Sequence, residues 1–114
     1  MPLKTNADFG AFLALDIRIG TIVQIEPSLA KKPTWRMTID FGPEIGRRVS
    51  CGAYTNYPAA EMVGKQVVAI INFGPKKMGP EISEALVLGV QNPQGEGTVL
   101  LTVDQLAPDG SEIF

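Results

Sequence analysis

The sequence has no histidine and one cysteine, Cys51. Without histidine there is no ordinary base for chemistry near neutral pH, the commonest metal ligand is missing, and no Ser-His or Cys-His nucleophile pair can be built. A single cysteine excludes an intrachain disulfide. Set in an apolar, strand-like run, it reads as a small buried residue in a reducing compartment, so a cytoplasmic location is expected. Long apolar runs are also missing. The opening segment MPLKTNADFGAFLALDI carries one lysine, an acidic Asp8 and a short apolar stretch, which fits neither a secretory signal nor a membrane span, so no membrane insertion is expected. There is no glycine-rich phosphate loop and no carboxylate cluster with metal-ligand spacing, so neither a metal nor another cofactor is expected. Asp16 and Asp40 stand in strand-like runs beside Arg18 and Arg36, where structural ion pairs are the expected use rather than acid-base catalysis. Together these absences predict a protein that is not an enzyme.

Basic residues are missing from the last part of the chain. All ten lie at or before Lys77, against six acids there, a net of +4; the remainder holds no base and six acids, a net of −6. A chain that is acidic on average can therefore still offer a basic face, because charges are screened over about 8–10 Å. The tightest basic doublet, Lys76-Lys77, sits in the loop-like stretch NFGPKKMGPEIS.

At 114 residues the chain is a single domain large enough to bury a core without staples. LDIRIGTIVQIEP, from Leu15, reads as a long strand with a bend or bulge at Gly20. WRMTIDFG is a period-two strand with Trp35, Met37, Ile39 and Phe41 on its core face, and RRVSCGAY follows the turn GPEIG as its hairpin partner. YPAAEMVG is a short helix with Pro58 in its first turn and Gly64 past its end. QVVAIINF is the most buried strand, with Phe73 assigned to the core. ALVLGV and TVLLTV form a last hairpin across NPQGEG. ADFGAFLAL is expected to be an N-terminal helical extension at about residues 7–14, and residues 104–114 a polar C-terminal loop or extension. Five or six evenly spaced strands with a helix after the third predict an all-β fold, a five-stranded OB-type barrel, with a generic β-barrel as the competitor.

The stretches DIRIGTI (16–22), KPTWRMTIDFG (32–42), EMVGKQVVAIINF (61–73) and SEALVLG (83–89) resemble the tRNA-binding domain family of OB folds, and within it the stand-alone CsaA type. The D-I-R-I-G opening is shared with domains appended to methionyl- and phenylalanyl-tRNA synthetases, whereas the runs around Trp35 and Asn72–Gly89 resemble the CsaA type more specifically. The resemblance covers nearly the whole chain. It implies a homodimer and a partner that is either tRNA or an unfolded, export-bound polypeptide. Carried onto this sequence, it places the family's basic loop at Lys76 and Lys77, its strand-end asparagine at Asn72 and its serine at Ser83. Lys76 stands where the family usually has arginine, so a point charge replaces a two-pronged guanidinium.

Lys76 and Lys77 either solubilise a loop or contact phosphate. Pro75 stiffens their approach and Gly74 and Gly79 allow a ligand close to the backbone, and with the resemblance added a phosphate contact is favoured. Lys31 and Lys32, before Pro33 in the first strand connection, either border the binding face of an OB fold or simply solvate a turn, and Arg36 on the wet face of its strand would extend that face. The candidate RNA-contacting set is therefore Lys31, Lys32, Arg36, Asn72, Lys76, Lys77 and Ser83; Asn72 and Ser83 have local capping as the alternative. Tyr54 and Tyr57 are the only candidate stacking platforms, with core and helix-start roles as alternatives. That poverty of exposed rings favours shape and phosphate readout of folded RNA over general single-strand binding.

Overall fold

The computed structural model describes all residues 1–114. In chain order its elements are α1 (Phe9–Leu13), β1 (Ile17–Pro27), β2 (Trp35–Asp40), β3 (Arg47–Gly52), α2 (Ala59–Met62), β4 (Gln66–Ile70), β5 (Lys76–Met78), β6 (Glu81–Ser83), β7 (Leu86–Val87), β8 (Gly89–Gln91) and β9 (Thr98–Leu100). Five strands form one antiparallel sheet in the order β3-β2-β1-β4-β7. The two edges approach each other to leave a nearly closed barrel. Beside β7 the backbone N–H of Glu84 donates to the Val49 carbonyl (2.7 Å), while the Glu84 carboxylate accepts from the Val49 N–H (3.1 Å). The expected all-β, OB-type barrel is thus observed. No helix is long and apolar enough to cross a membrane, and no cluster of three or more acidic, cysteine or histidine side chains could hold a metal ion.

β1 organises the barrel. Its first half pairs with β4 (Ile17↔Ile70 to Thr21↔Gln66) and its second half with β2 (Thr21↔Asp40 to Pro27↔Trp35). The register slips between Ile22 and Gln24, so the bulge lies at Val23 and not at Gly20 as expected from sequence. Gly20 has a different use: a Cβ there would come within 2.6 Å of Ile39 Cγ2 and 2.7 Å of Phe41 Cδ1. Only a bare backbone leaves room for those two core side chains.

Ile22, Met37, Ile39, Phe41, Tyr54, Met62, Val67, Ala69, Ile71, Ala85 and Val87 form the core. Met37, Ile39 and Phe41 are the alternate residues of β2 that the period-two pattern predicts. α2 is one turn that delivers Met62 into the barrel end; behind it, the Gly64 N–H donates to the Ile22 carbonyl and the Ile22 N–H to the Lys65 carbonyl. Phe73 departs from expectation. β4 ends at Ile70, the positive φ of Gly74 turns the chain away, and the ring is 64% exposed. Strand alternation carries no force past the last ladder bond.

The two ends of the chain behave differently. α1 buries none of its residues, leaving Phe9 and Leu13 exposed. The C-terminal segment, expected as a loop or extension, lies along β1: Ile19 N–H donates to Ser111 O (2.9 Å), Gly110 N–H to Ile19 O (2.7 Å) and Ile113 N–H to Ile17 O (2.9 Å). The Gln66 side-chain amide holds this segment by donating to Ala107 O (2.6 Å) and accepting from Ala107 N–H (3.0 Å). TVLLTV and ALVLGV are only partly strand; β8 and β9 make a separate two-stranded ribbon outside the barrel sheet.

Candidate nucleic-acid interface

NFGPKKMGPEIS, read from sequence as a loop, is a miniature hairpin. β5 and β6 pair Lys76 with Ser83, Lys77 with Ile82 and Met78 with Glu81, and Gly79 supplies the turn with a φ of 61°. The Ser83 hydroxyl fixes this hairpin to the barrel. It accepts from the Cys51 N–H (3.2 Å) and donates to Ala85 O (3.0 Å), and the residue is buried. Ser83 therefore holds the hairpin in place, and its hydrogen-bonding capacity is largely used internally.

The β1–β2 connection, residues 28–34, is also ordered by its own backbone. Ser28 N–H donates to Thr34 O (3.0 Å) and Ala30 N–H to the Ser28 hydroxyl (3.1 Å). Lys31 and Lys32 protrude from it, as Lys76 and Lys77 do from the hairpin, and all four are exposed. None of them takes part in an ion pair within 4 Å; the paired cations are Arg18 and Arg36. Four lysines carrying uncompensated charge are thus presented on two loops.

Arg36 stands apart from that group. The register sets it opposite Glu26, and its guanidinium donates to the Glu26 carboxylate at 2.5 Å with Glu81 beyond at 3.9 Å. The hydrogen bond to Glu26, reinforced by its charge, raises the Arg36 pKa above its ordinary value. Asp40, the partner expected from sequence, is four residues along the same strand, about 13 Å at strand rise, and accepts from the Gly42 N–H instead. Cross-strand register overrides proximity in sequence. The Arg18–Asp16 pair does form, at 2.6 Å. Asn72 accepts from the Asp16 N–H and donates to Ala14 O, both at 2.8 Å, tying the exit of α1 to the end of β4.

Neither tyrosine is an exposed platform: Tyr57 is half-buried against the core. Tyr54 is buried, its hydroxyl donates to Val87 O (3.1 Å), and burial pushes its pKa up to about 12. The Tyr57 hydroxyl accepts from the Leu100 N–H, while its carbonyl takes the Trp35 indole N–H. Phe73, which the sequence pattern assigned to the core, is exposed, as are Phe9, Phe12 and Phe114. It borders a cavity of about 300 Å3 lined by Cys51, Ile70, Met78, Ala85 and Leu86, with Lys76 at its edge. Burial pushes the Cys51 thiol pKa up, so Cys51 contributes an inert wall.

A sequence model of the family described as "Putative tRNA binding domain" matches residues 17–112. The chain belongs to the tRNA-binding domain family. Within it, the chain resembles the CsaA type in structure: it superposes on a chaperone CsaA from Bacillus anthracis with a TM-score of 0.89 at 38% identity, and on a CsaA chaperone protein from Picrophilus torridus with a TM-score of 0.90 at 35% identity. Each match covers 96% of this chain and all of the other. A methionine–tRNA ligase from Bacteroides fragilis is 33% identical over 112 residues, 98% of this chain. The chain spans 16% of that ligase's length. The likeness expected from the DIRIGTI, KPTWRMTIDFG and SEALVLG stretches is therefore observed in both sequence and fold.

Proposed function

We propose that this chain is a non-catalytic tRNA-binding protein that acts as a homodimer and reads folded RNA by shape and phosphate position. The observation that carries the proposal is the group of four exposed lysines, Lys31, Lys32, Lys76 and Lys77, without acidic partners on two ordered loops of a tRNA-binding domain. Ser83 and Arg36 support the β5–β6 hairpin through the internal contacts described above, whereas Asn72 is engaged at the exit of α1. Neither lysine-bearing loop, residues 28–34 or 76–83, contains an aromatic side chain, so affinity comes from phosphate contacts and the counterions they release.

The homodimer reading is supported by how little of its apolar surface one chain covers. Its accessible surface is 7748 Å2, whereas a compact monomer of this mass exposes about 6,000 Å2. Phe9, Leu13, Val90 and Leu106 are all more than half exposed, and a second copy is the natural cover. Two subunits would also double a basic patch that is modest in each. The test is the salt dependence of tRNA affinity: Lys76→Ala/Lys77→Ala should weaken binding and flatten the slope, and unchanged affinity and slope would refute the phosphate role.

The cavity beside Phe73 supports a second reading, an export-related chaperone that holds unfolded polypeptides, with apolar client side chains entering between Phe73, Met78 and Leu86. The two readings use adjacent surfaces. Phe73→Ala with both lysines intact would impair peptide capture and spare tRNA.

A further inference from the structure

Glu81 is an acid in the wrong place for a phosphate-binding surface, and it is buried. It opens β6 just past the turn, opposite Met78 in the hairpin that carries Lys76 and Lys77. Its Oε2 accepts the backbone N–H of Leu29 at 3.0 Å across 52 residues of sequence, and Leu29 belongs to the loop that carries Lys31 and Lys32. Its Oε1 faces the Arg36 guanidinium at 3.9 Å, and Arg36 is held in turn by Glu26. One carboxylate thus touches the connection that presents one lysine pair while being part of the hairpin that presents the other. Each segment has its own attachment to the barrel, and this carboxylate supplies the direct hydrogen bond between the two.

We infer that Glu81 is a positioning residue for RNA binding: by fixing the Leu29 loop to the β5–β6 hairpin it makes the two lysine pairs a single phosphate-reading surface of set spacing. This rests on the tRNA-binding reading above. The physical argument is preorganisation. Two weak contacts held at the spacing of their targets act as one bivalent ligand, whereas two that wander must be ordered at the moment of binding.

The sign of the effect separates positioning from simple charge. Removing an acid from a basic surface should, by Coulomb's law alone, tighten the grip on a polyanion. Positioning requires the opposite for Glu81→Ala, and near-parental binding for Glu81→Gln, whose side-chain carbonyl still accepts the Leu29 N–H. With unfractionated tRNA as probe, Glu81→Ala should lose about tenfold in affinity, comparable to the loss of one lysine pair. The two pairs, coupled in the parent by a cycle of Lys31→Ala/Lys32→Ala against Lys76→Ala/Lys77→Ala, should become additive in the Glu81→Ala background. Amide exchange at Leu29 should accelerate in Glu81→Ala and stay slow in Glu81→Gln. Should Glu81→Ala fail to fold, Leu29→Pro removes the same bond from its donor side and is expected to give the same loss. Affinity kept or raised in the folded variant, or Glu81→Gln falling as far as Glu81→Ala, overturns the inference while the lysine variants still lose binding. If the lysine variants bind tRNA like the parent, the tRNA reading itself falls, and the role assigned to Glu81 with it.

Discussion

Replacing Gly20 with alanine adds one methyl group to the tightest point of the barrel. The new Cβ would sit 2.6 Å from Ile39 Cγ2, 2.7 Å from Phe41 Cδ1 and 2.8 Å from Phe41 Cε1, all well inside carbon–carbon contact distance. Ile39 and Phe41 are essentially without solvent exposure, so neither side chain can swing outward; one must leave its rotamer or β1 must separate from β2. Overpacking of this kind costs about 1–3 kcal/mol. For a chain of this length the unfolding entropy is about 0.24 kcal/mol per kelvin, so the midpoint should fall by roughly 4–12 °C in a thermal melt followed by circular dichroism. Phe41→Leu should destabilise by itself, through the space it leaves, yet partly rescue Gly20→Ala. The cycle should therefore depart from additivity by at least about 0.5 kcal/mol. A Gly20→Ala melt within a degree of the parent, or strictly additive effects, would refute the idea that Gly20 exists to admit Phe41 and Ile39.

Three further outcomes follow from the geometry. Lys76→Ala/Lys77→Ala should flatten the log-log salt dependence of tRNA affinity by up to about two units per subunit engaged, and its thermal midpoint should match the parent because both side chains are exposed. Deleting residues 1–13, none of which is buried, should shift sedimentation equilibrium from dimer toward monomer at micromolar concentration with little change in the melt; a parent that sediments as a 12.2 kDa species throughout would remove the dimer. Tyr54 titrates at about 12 when folded against about 10 when unfolded, so the folded state prefers its neutral form. That stability is fully present below pH 10 and is lost as pH rises toward 12. Urea melts should show the decline, and Tyr54→Phe should blunt it, leaving the smaller contribution of the same sign from the Cys51 thiol.

Much of the barrel was legible because its strands obey simple periodicities. Met37, Ile39 and Phe41 alternate as β2 requires, and YPAAEMVG announces the turn that delivers Met62. Where the reading departed from the fold, non-local pairing decided. Arg36 takes Glu26 because β1 and β2 are in register there, which spacing within one strand cannot reveal. Phe73 continues the alternation of Val67, Ala69 and Ile71 on paper, yet the ladder has already ended at Ile70. Pro75, Gly79 and Pro80 made residues 74–84 look like a loop, because ribbons of three residues leave almost no periodic trace. The importance of Glu81 had no sequence signal, since its partner Leu29 is 52 residues away. The lysines, by contrast, were legible as charges whose neighbours in the chain do not neutralise them.

The strip formed by residues 110–113 along β1 has a consequence for the order of events during synthesis. Ile17 and Ile19 leave the ribosome early, but the groups that pair with their outer backbone edge come from the far end; Arg18 reaches Gly110 across 92 residues. Until residues 110–113 have emerged, β1 carries an open edge next to apolar side chains, the kind of surface on which nascent chains associate wrongly. Closing so long a loop is slow. Residues 110–113 therefore act as a latch, and Gly110→Pro, which removes the N–H donated to Ile19, should harm yield and refolding speed more than the small contribution of that strip to the core would suggest.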